Sequence, residues 1–274
     1  MDGPTTRKPA VAGQFYPRVP DELRALVRGY LELTDTQAAP DAVAALVAPH
    51  AGYMYSGPTA GQAFARVKGK KPRRVVLLGV SHRYHFEGAS VYQGGGFDTP
   101  LGAFPIDDAF AADLARKTDS GSAEPHLLEH SLEVQLPFVA EAIGEVPIVP
   151  ILLGSTPDGQ HARLGETLAR MTDETDLVIA STDLSHYLPE EEANQIDKVS
   201  LDTVLSQDWR AFAEGIANGT CSMCGAAAVV VAMTYALERG AKSWALLDYR
   251  TSAETSGDYD RVVGYGAISM ERAA

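Results

Sequence analysis

Three of the seven histidines follow directly on short apolar, β-branched runs. Val43–Val47 leads into Pro49-His50, Val75–Val80 into Ser81-His82, and Leu177–Ala180 into Ser-Thr-Asp183-Leu-Ser-His186. Imidazole is both a common metal ligand and a proton carrier near neutral pH. Asp183, three residues before His186, can ligate an ion or orient a histidine through its second ring nitrogen. A helical turn over Thr182–Tyr187 would put Asp183 and His186 on one side. Cys221-Ser-Met-Cys224-Gly225 adds two thiols at a spacing that suits a redox pair or two thiolate ligands. Cys224 also precedes the most apolar predicted helix, whose positive end would lower a thiol pKa. Glu129-His130-Ser-Leu-Glu133 is a third candidate. On a helix His130 and Glu133 would share a face, either as pocket residues or as a buried hydrogen-bond network. Tyr55, just beyond His50, is a further pocket candidate. His85, His126 and His161 have no comparable placement. Ser185 lacks the Gly-x-Ser-x-Gly context of a nucleophile, and Gly94-Gly95-Gly96 lacks the spacing and lysine of a phosphate loop.

The runs that precede the three histidines read as buried strands of a largely parallel sheet. Ligands of such sheets bind beyond the carboxyl ends of the strands, where all three histidines would lie. Helices are expected from Pro20 to Leu33, from Ser56-Gly57-Pro58 onward, and from Asp107 to about Arg116. Further helices are expected over Glu129–Ala142, with Pro137 as a kink or second start, and over Leu164–Met171, Glu190–Leu205, Trp209–Ala217 and Gly225–Gly240. More strands are expected over Val146–Leu153, Trp244–Leu247 and Val262–Met270, with an outer strand within Tyr84–Gly96. Residues 34–42 read as a loop, and the basic cluster Lys68–Arg74 as a solvated one. With no Pro/Gly/Ser-rich linker, residues 1–274 are expected to form a single domain.

The formal charge of -13 opposes a nucleic-acid binder, which needs basic patches to displace counterions. The first residues lack an apolar signal, and no run approaches a membrane span, so no membrane partner is expected. Two cysteines are too few to staple a secreted domain of 274 residues, and a cytoplasmic location is expected.

APHAGYMYSG (48–57), GVSHRYHF (79–86), EHSLEVQLPF (129–138), STDLSHY (181–187) and Cys-Gly (224–225) closely resemble the Memo family. The bacterial and archaeal branch of that family is labelled component B of the AmmeMemoRadiSam system. The match runs in order from residue 7 to 270. The resemblance implies a three-layer α/β/α fold with a central, largely parallel or mixed sheet, similar to the class III extradiol dioxygenases. It implies a metal pocket formed by His50, His82 and Cys224 and lined by Asp183 and His186. In the related dioxygenases two histidines and a glutamate hold iron(II), and a histidine matching His186 acts as acid and base. This chain departs at the third ligand, where it offers Cys224, and in the second motif, where Val80 replaces a common proline. A thiolate is softer and shifts preference toward copper or zinc, with iron(II) still within range. The expected cofactor is therefore one ion of iron(II) or copper, with zinc as an alternative. The expected function is a redox or oxygenase activity on an unknown small molecule or protein. A non-catalytic interaction or scaffold protein and a metallohydrolase or transferase are the alternatives. The resemblance also implies AMMECR1-like and radical-SAM pathway partners.

Overall fold

The computed structural model describes residues 6–33, 39–118, 120, 123–154 and 157–273. The strands are β1 Val43–Ala48, β2 Val75–Val80, β3 Ala89–Val91, β4 Gly96–Thr99, β5 Gly102–Pro105, β6 Ile148–Leu153, β7 Leu177–Ser181, β8 His186–Leu188, β9 Ala241–Thr251 and β10 Val262–Arg272. The helices are α1 Pro20–Leu31, α2 Tyr53–Ala65, α3 Asp108–Thr118, α4 Leu136–Ala142, α5 Gly159–Met171, α6 Glu190–Leu205, α7 Trp209–Asn218, α8 Ala226–Glu238 and α9 Ala253–Ser256. The expected loop at 34–42 falls partly on residues 34–38, outside the described residues.

Eight strands form one mixed sheet in the order β3-β6-β2-β7-β1-β10-β8, with β9 also paired to β10. Its centre, β6-β2-β7-β1, is parallel, and the flanking strands run antiparallel. Both faces of this centre are covered, which is why β1, β6 and β7 are apolar and buried throughout rather than alternating. One group of helices, α1, α2 and α4, packs together and reaches β1 and β10 through α2. The other, α5 to α8, packs together and reaches β1, β2 and β7 through α8. Helix α8 lies between the sheet and its neighbours α5 and α7, and eleven of its residues are buried, so its sequence is apolar on every side. The result is the layered α/β/α arrangement with a mixed central sheet.

Three local expectations are corrected. Helix α2 begins at Tyr53, so Pro58 lies inside it. Pro58 has no N–H for the Met54 carbonyl, which accepts the Thr255 hydroxyl instead (3.1 Å). The segment from Glu129 is irregular until a 3-10 turn at Glu133–Gln135, and Pro137 marks the start of α4. The basic cluster is a loop, and Lys68, Lys71 and Arg73 are exposed as expected, but two of its cations are not solvated. Lys70 is buried with its ammonium on the carbonyls of Pro40 and Asp41, and Arg74 is buried between Asp107 and Asp176.

Candidate metal centre

In the parallel centre β1 and β7 end level, with Ala48 opposite Ser181, and β2 pairs Leu78 with Ala180. The residues just past these ends, His50, His82 and Asp183, therefore leave the sheet along one edge. Cys224 arrives from the other direction, at the start of α8. Gly225 makes that approach possible, because a Cβ there would lie 2.4 Å from the Ser181 carbonyl oxygen. The Cys224 N–H donates to the Asp183 carbonyl (3.2 Å), and the Asp183 N–H donates to Cys224 Sγ (3.2 Å). These contacts put Sγ 3.3 Å from His50 Nε2.

The hydrogen bonds fix which ring nitrogens are free. Ser181 Oγ gives its proton to the Ser131 carbonyl (2.5 Å) and accepts from Gln135 Nε2 (2.8 Å). It can then only accept from His50 Nδ1 (3.0 Å), so the proton sits on Nδ1 and Nε2 presents a lone pair toward Cys224. His82 is set by Glu129, whose carboxylate accepts from the His82 ring at Nδ1 (2.9 Å) and from its backbone N–H (2.7 Å). Glu129 also accepts from the N–H groups of His130 (2.7 Å) and Ser131 (2.8 Å). Burial works to raise the Glu129 carboxyl, but the hydrogen bonds from the His82 ring and N–H and from the Ser131 N–H hold it well below the usual range. An ionised Glu129 only accepts, so His82 also keeps its proton on Nδ1 and frees Nε2.

One ligand atom from each of His50, His82 and Cys224 lies within 4.8 Å of the others. Donors on one ion, at about 2.1 Å for nitrogen and 2.3 Å for sulfur, can be at most about 4.4 Å apart. Three donors on one tetrahedral ion sit about 3.4–3.6 Å apart. Cys224 Sγ and His50 Nε2 are already 3.3 Å apart. Closing the set takes a shift on the order of 1 Å at His82, the most exposed of the three. The donor chemistry fits as well: two imidazoles with carboxylate or hydroxyl support, and one thiol. A second set, His82, Glu129 and His130, is equally compact, but four donors already occupy the Glu129 carboxylate.

Burial holds His50 down to about 3, with His82 adding to the effect, and His130 down to about 4, so both rings are neutral at physiological pH. Cys224 departs from expectation. Burial first, then the Asp183 carboxylate, pushes its thiol up to about 12, outweighing the lowering hydrogen bonds from Asp183, Thr182 and Gly225. Burial also raises the Asp183 carboxyl, although the His50 N–H (2.7 Å) opposes this.

The remaining candidates are dispersed. His130 belongs to the cluster, with its ring centroid 4.5 Å from that of His82 and 5.6 Å from that of His50. His186 is exposed on β8, close enough that its charge lowers His50. Residues Thr182–Ser185 form no helical turn. They are irregular up to β8, and no Asp183–His186 bond appears among the described residues, although the His186 charge works to lower the Asp183 carboxyl. Glu133 serves another network: its carboxylate accepts from Arg7 (2.8 Å), the N–H groups of Ala10 and Val11, and the Tyr16 hydroxyl (2.6 Å). Cys221 is buried, with its sulfur 3.8 Å from the Thr203 hydroxyl, outside the clustered ligand set. Tyr55 lies half-buried on α2, where its charge bears on Tyr265. Glu129, Ser181 and Gln135 were not singled out from the sequence. Glu129 opens the EHSLEVQLPF motif, and that was the signal available.

A layered α/β protein that brings two imidazoles and a thiol together at the carboxyl edge of its sheet is defined by fold and site together. The chain belongs to the Memo-like protein family, whose profile matches residues 7–269. It is 37% identical to a MEMO1 family protein of Methanopyrus kandleri, covering 97% of this chain and 99% of that one. A MEMO1 family protein of Archaeoglobus fulgidus is 36% identical over 96% of this chain and 98% of its own length. The solved structure of an uncharacterized Escherichia coli K12 protein gives a TM-score of 0.49 at 15% identity, covering 83% of this chain and 99% of that chain.

Proposed function

We propose that this protein binds one redox-active metal ion, iron(II) or copper, through His50 Nε2, His82 Nε2 and Cys224 Sγ, and uses it in a dioxygenase-like oxidation of a small molecule. The observation that carries this reading is the tautomer control. Ser181 and Glu129 each hold a proton on Nδ1, and both free lone pairs belong to the compact set that contains Cys224. A purely structural histidine pair has no need of two matched Nε2 lone pairs beside a thiol. When bound, the ion would supply Lewis acidity and one-electron redox chemistry. The chain's own part is to hold the ligands with Ser181, Gln135 and Glu129, and to keep Asp183 in place through the His50 N–H. In this reading the exposed ring of His186 gives and takes protons at the substrate. The location is read as cytoplasmic, the pathway partners as AMMECR1-like and radical-SAM proteins. No helix among the described residues is long and apolar enough to cross a membrane.

Anaerobic titration with Fe(II), Cu(I) and Zn(II), followed by elemental analysis, tests the binding. The parent, Cys221→Ala and His186→Ala should each hold about one ion per chain, and Cys224→Ala should lose most of the affinity. No uptake of any of the three ions at micromolar concentration overturns the reading. Oxygen uptake across a diphenol panel tests the redox half. His186→Ala should cut turnover by ~10² to 10⁴ without releasing the ion.

A further inference from the structure

Cys224 has a second neighbourhood. It lines a cavity of about 430 Å³ whose wall includes neither His50 nor His82. One part of the wall is the start of α8, Ala226 to Ala228 with Gly225, and carries no side chain longer than a methyl. Another is the loop after β2, with Tyr84, His85 and Phe86. Among the described residues no Asp, Glu, Lys or Arg lines it, in a chain whose net charge is -13. The Tyr84 hydroxyl and the His85 ring have no hydrogen-bond partner among the described residues, and α8 starts without a side-chain cap. The cavity is of ligand-binding size, at the small end of the usual range.

We propose that this cavity is a binding site for an uncharged, flat ring compound that carries a hydrogen-bonding group, and that it presents the compound to Cys224. Each part of that description follows from the wall. The smooth alanine surface and the rings of Tyr84 and Phe86 suit a flat molecule. A cation would lose its hydration with no carboxylate to meet it, and an anion would have the α8 amides but no Lys or Arg to offset the same loss. An uncharged polar group has the Tyr84 hydroxyl, the His85 ring and the first-turn amides of α8 to bond. What the compound does at Cys224 rests on the proposed metal site; its binding does not.

Benzamide, benzoate and benzylamine share a ring and differ in charge, and so serve as probes. Titration calorimetry and saturation-transfer NMR on the full chain, with and without a loaded ion, give the affinities. Benzamide should bind saturably at roughly millimolar Kd, at least tenfold more tightly than either charged probe. Ala227→Leu fills the cavity, and Tyr84→Ala removes an exposed wall residue with no demand on folding. Each should weaken benzamide about tenfold while ion stoichiometry stays at the parent value. Absence of saturable benzamide binding, preference for a charged probe, or indifference to both substitutions overturns the proposal. Benzamide binding that responds to both substitutions in a chain that takes up no ion would leave the cavity standing and remove the metal site.

Discussion

Glu129 and Glu133 lie four residues apart in one motif, and both are buried. Glu129 turns to the sheet edge and collects the ring and backbone of His82. Glu133 turns to the amino-terminal segment and collects Arg7, Ala10, Val11 and Tyr16. Arg7 joins the two networks, since its guanidinium also reaches the carbonyls of Glu129 and His126 and lies 4.8 Å from the Phe97 ring centroid. One carboxylate therefore orients the His82 ring, and the other fastens the amino-terminal segment to the motif. The difference lies in their partners: those of Glu129 include a ring with a second nitrogen to offer, whereas those of Glu133 are a guanidinium, two backbone N–H groups and a hydroxyl, none of them in the clustered ligand set.

Removing Glu133 should have the largest effect, and it should fall on stability. Glu133→Ala leaves the Arg7 guanidinium buried without its ion-pair partner, and breaking such a pair costs about 3–5 kcal/mol. Urea denaturation should show that loss in the midpoint, while the molecules that remain folded should bind the parent amount of ion. A loss below about 1 kcal/mol would mean that Glu133 fastens nothing, and the contrast with Glu129 would break.

Glu129→Ala should act on the ion first. It frees the His82 ring to rotate and to change tautomer, and loss of such a supporting carboxylate lowers metal affinity about 10–100-fold, or about 1.4–2.7 kcal/mol. Competition titration against a chelator measures this directly. Should Glu129→Ala bind as tightly as the parent while Glu133→Ala in its folded form binds weakly, the two roles are exchanged.

The contrast also shows what a single sequence can convey. His50, His82 and Asp183 were legible because β-branched runs end just before them, and a parallel sheet gathers its carboxyl ends along one edge. The Cys224-Gly225 pair was legible as chemistry, but the reason for the glycine, contact with the Ser181 carbonyl, appears only when α8 is laid on β7. On a continuous helix His130 and Glu133 share a face and Glu129 does not stand out, whereas the helix that Pro137 opens begins only at Leu136. In the irregular stretch before it, tertiary hydrogen bonds decide direction, and their donors come from His82, 47 residues away. The same distance effect hid the burial of Arg74, whose partner Asp176 is 102 residues away. The Cys224 thiol was misjudged for a related reason: the helix start was visible in sequence, and the burial that outweighs it was not.

That thiol supplies an effect of about 1.4 kcal/mol per pH unit, the smallest single step of these, and it most sharpens the comparison. Burial keeps the Cys224 proton on sulfur up to about 12, while His50, held near 3, carries no extra proton to lose. An ion bound by the thiolate must therefore displace one proton from the protein, and binding strengthens as pH rises. Between pH 6.5 and 8.5 the affinity should rise about tenfold per unit, worth about 1.4 kcal/mol for each. Calorimetry in buffers of different ionisation enthalpy should find about one proton released per ion, falling toward zero in Cys224→Ala. Glu133→Gln should leave that proton count unchanged, since its network holds no ligand. A flat affinity over this range would show that the ion does not bind through the thiolate, and the Glu129 network would then be orienting His82 for some other task.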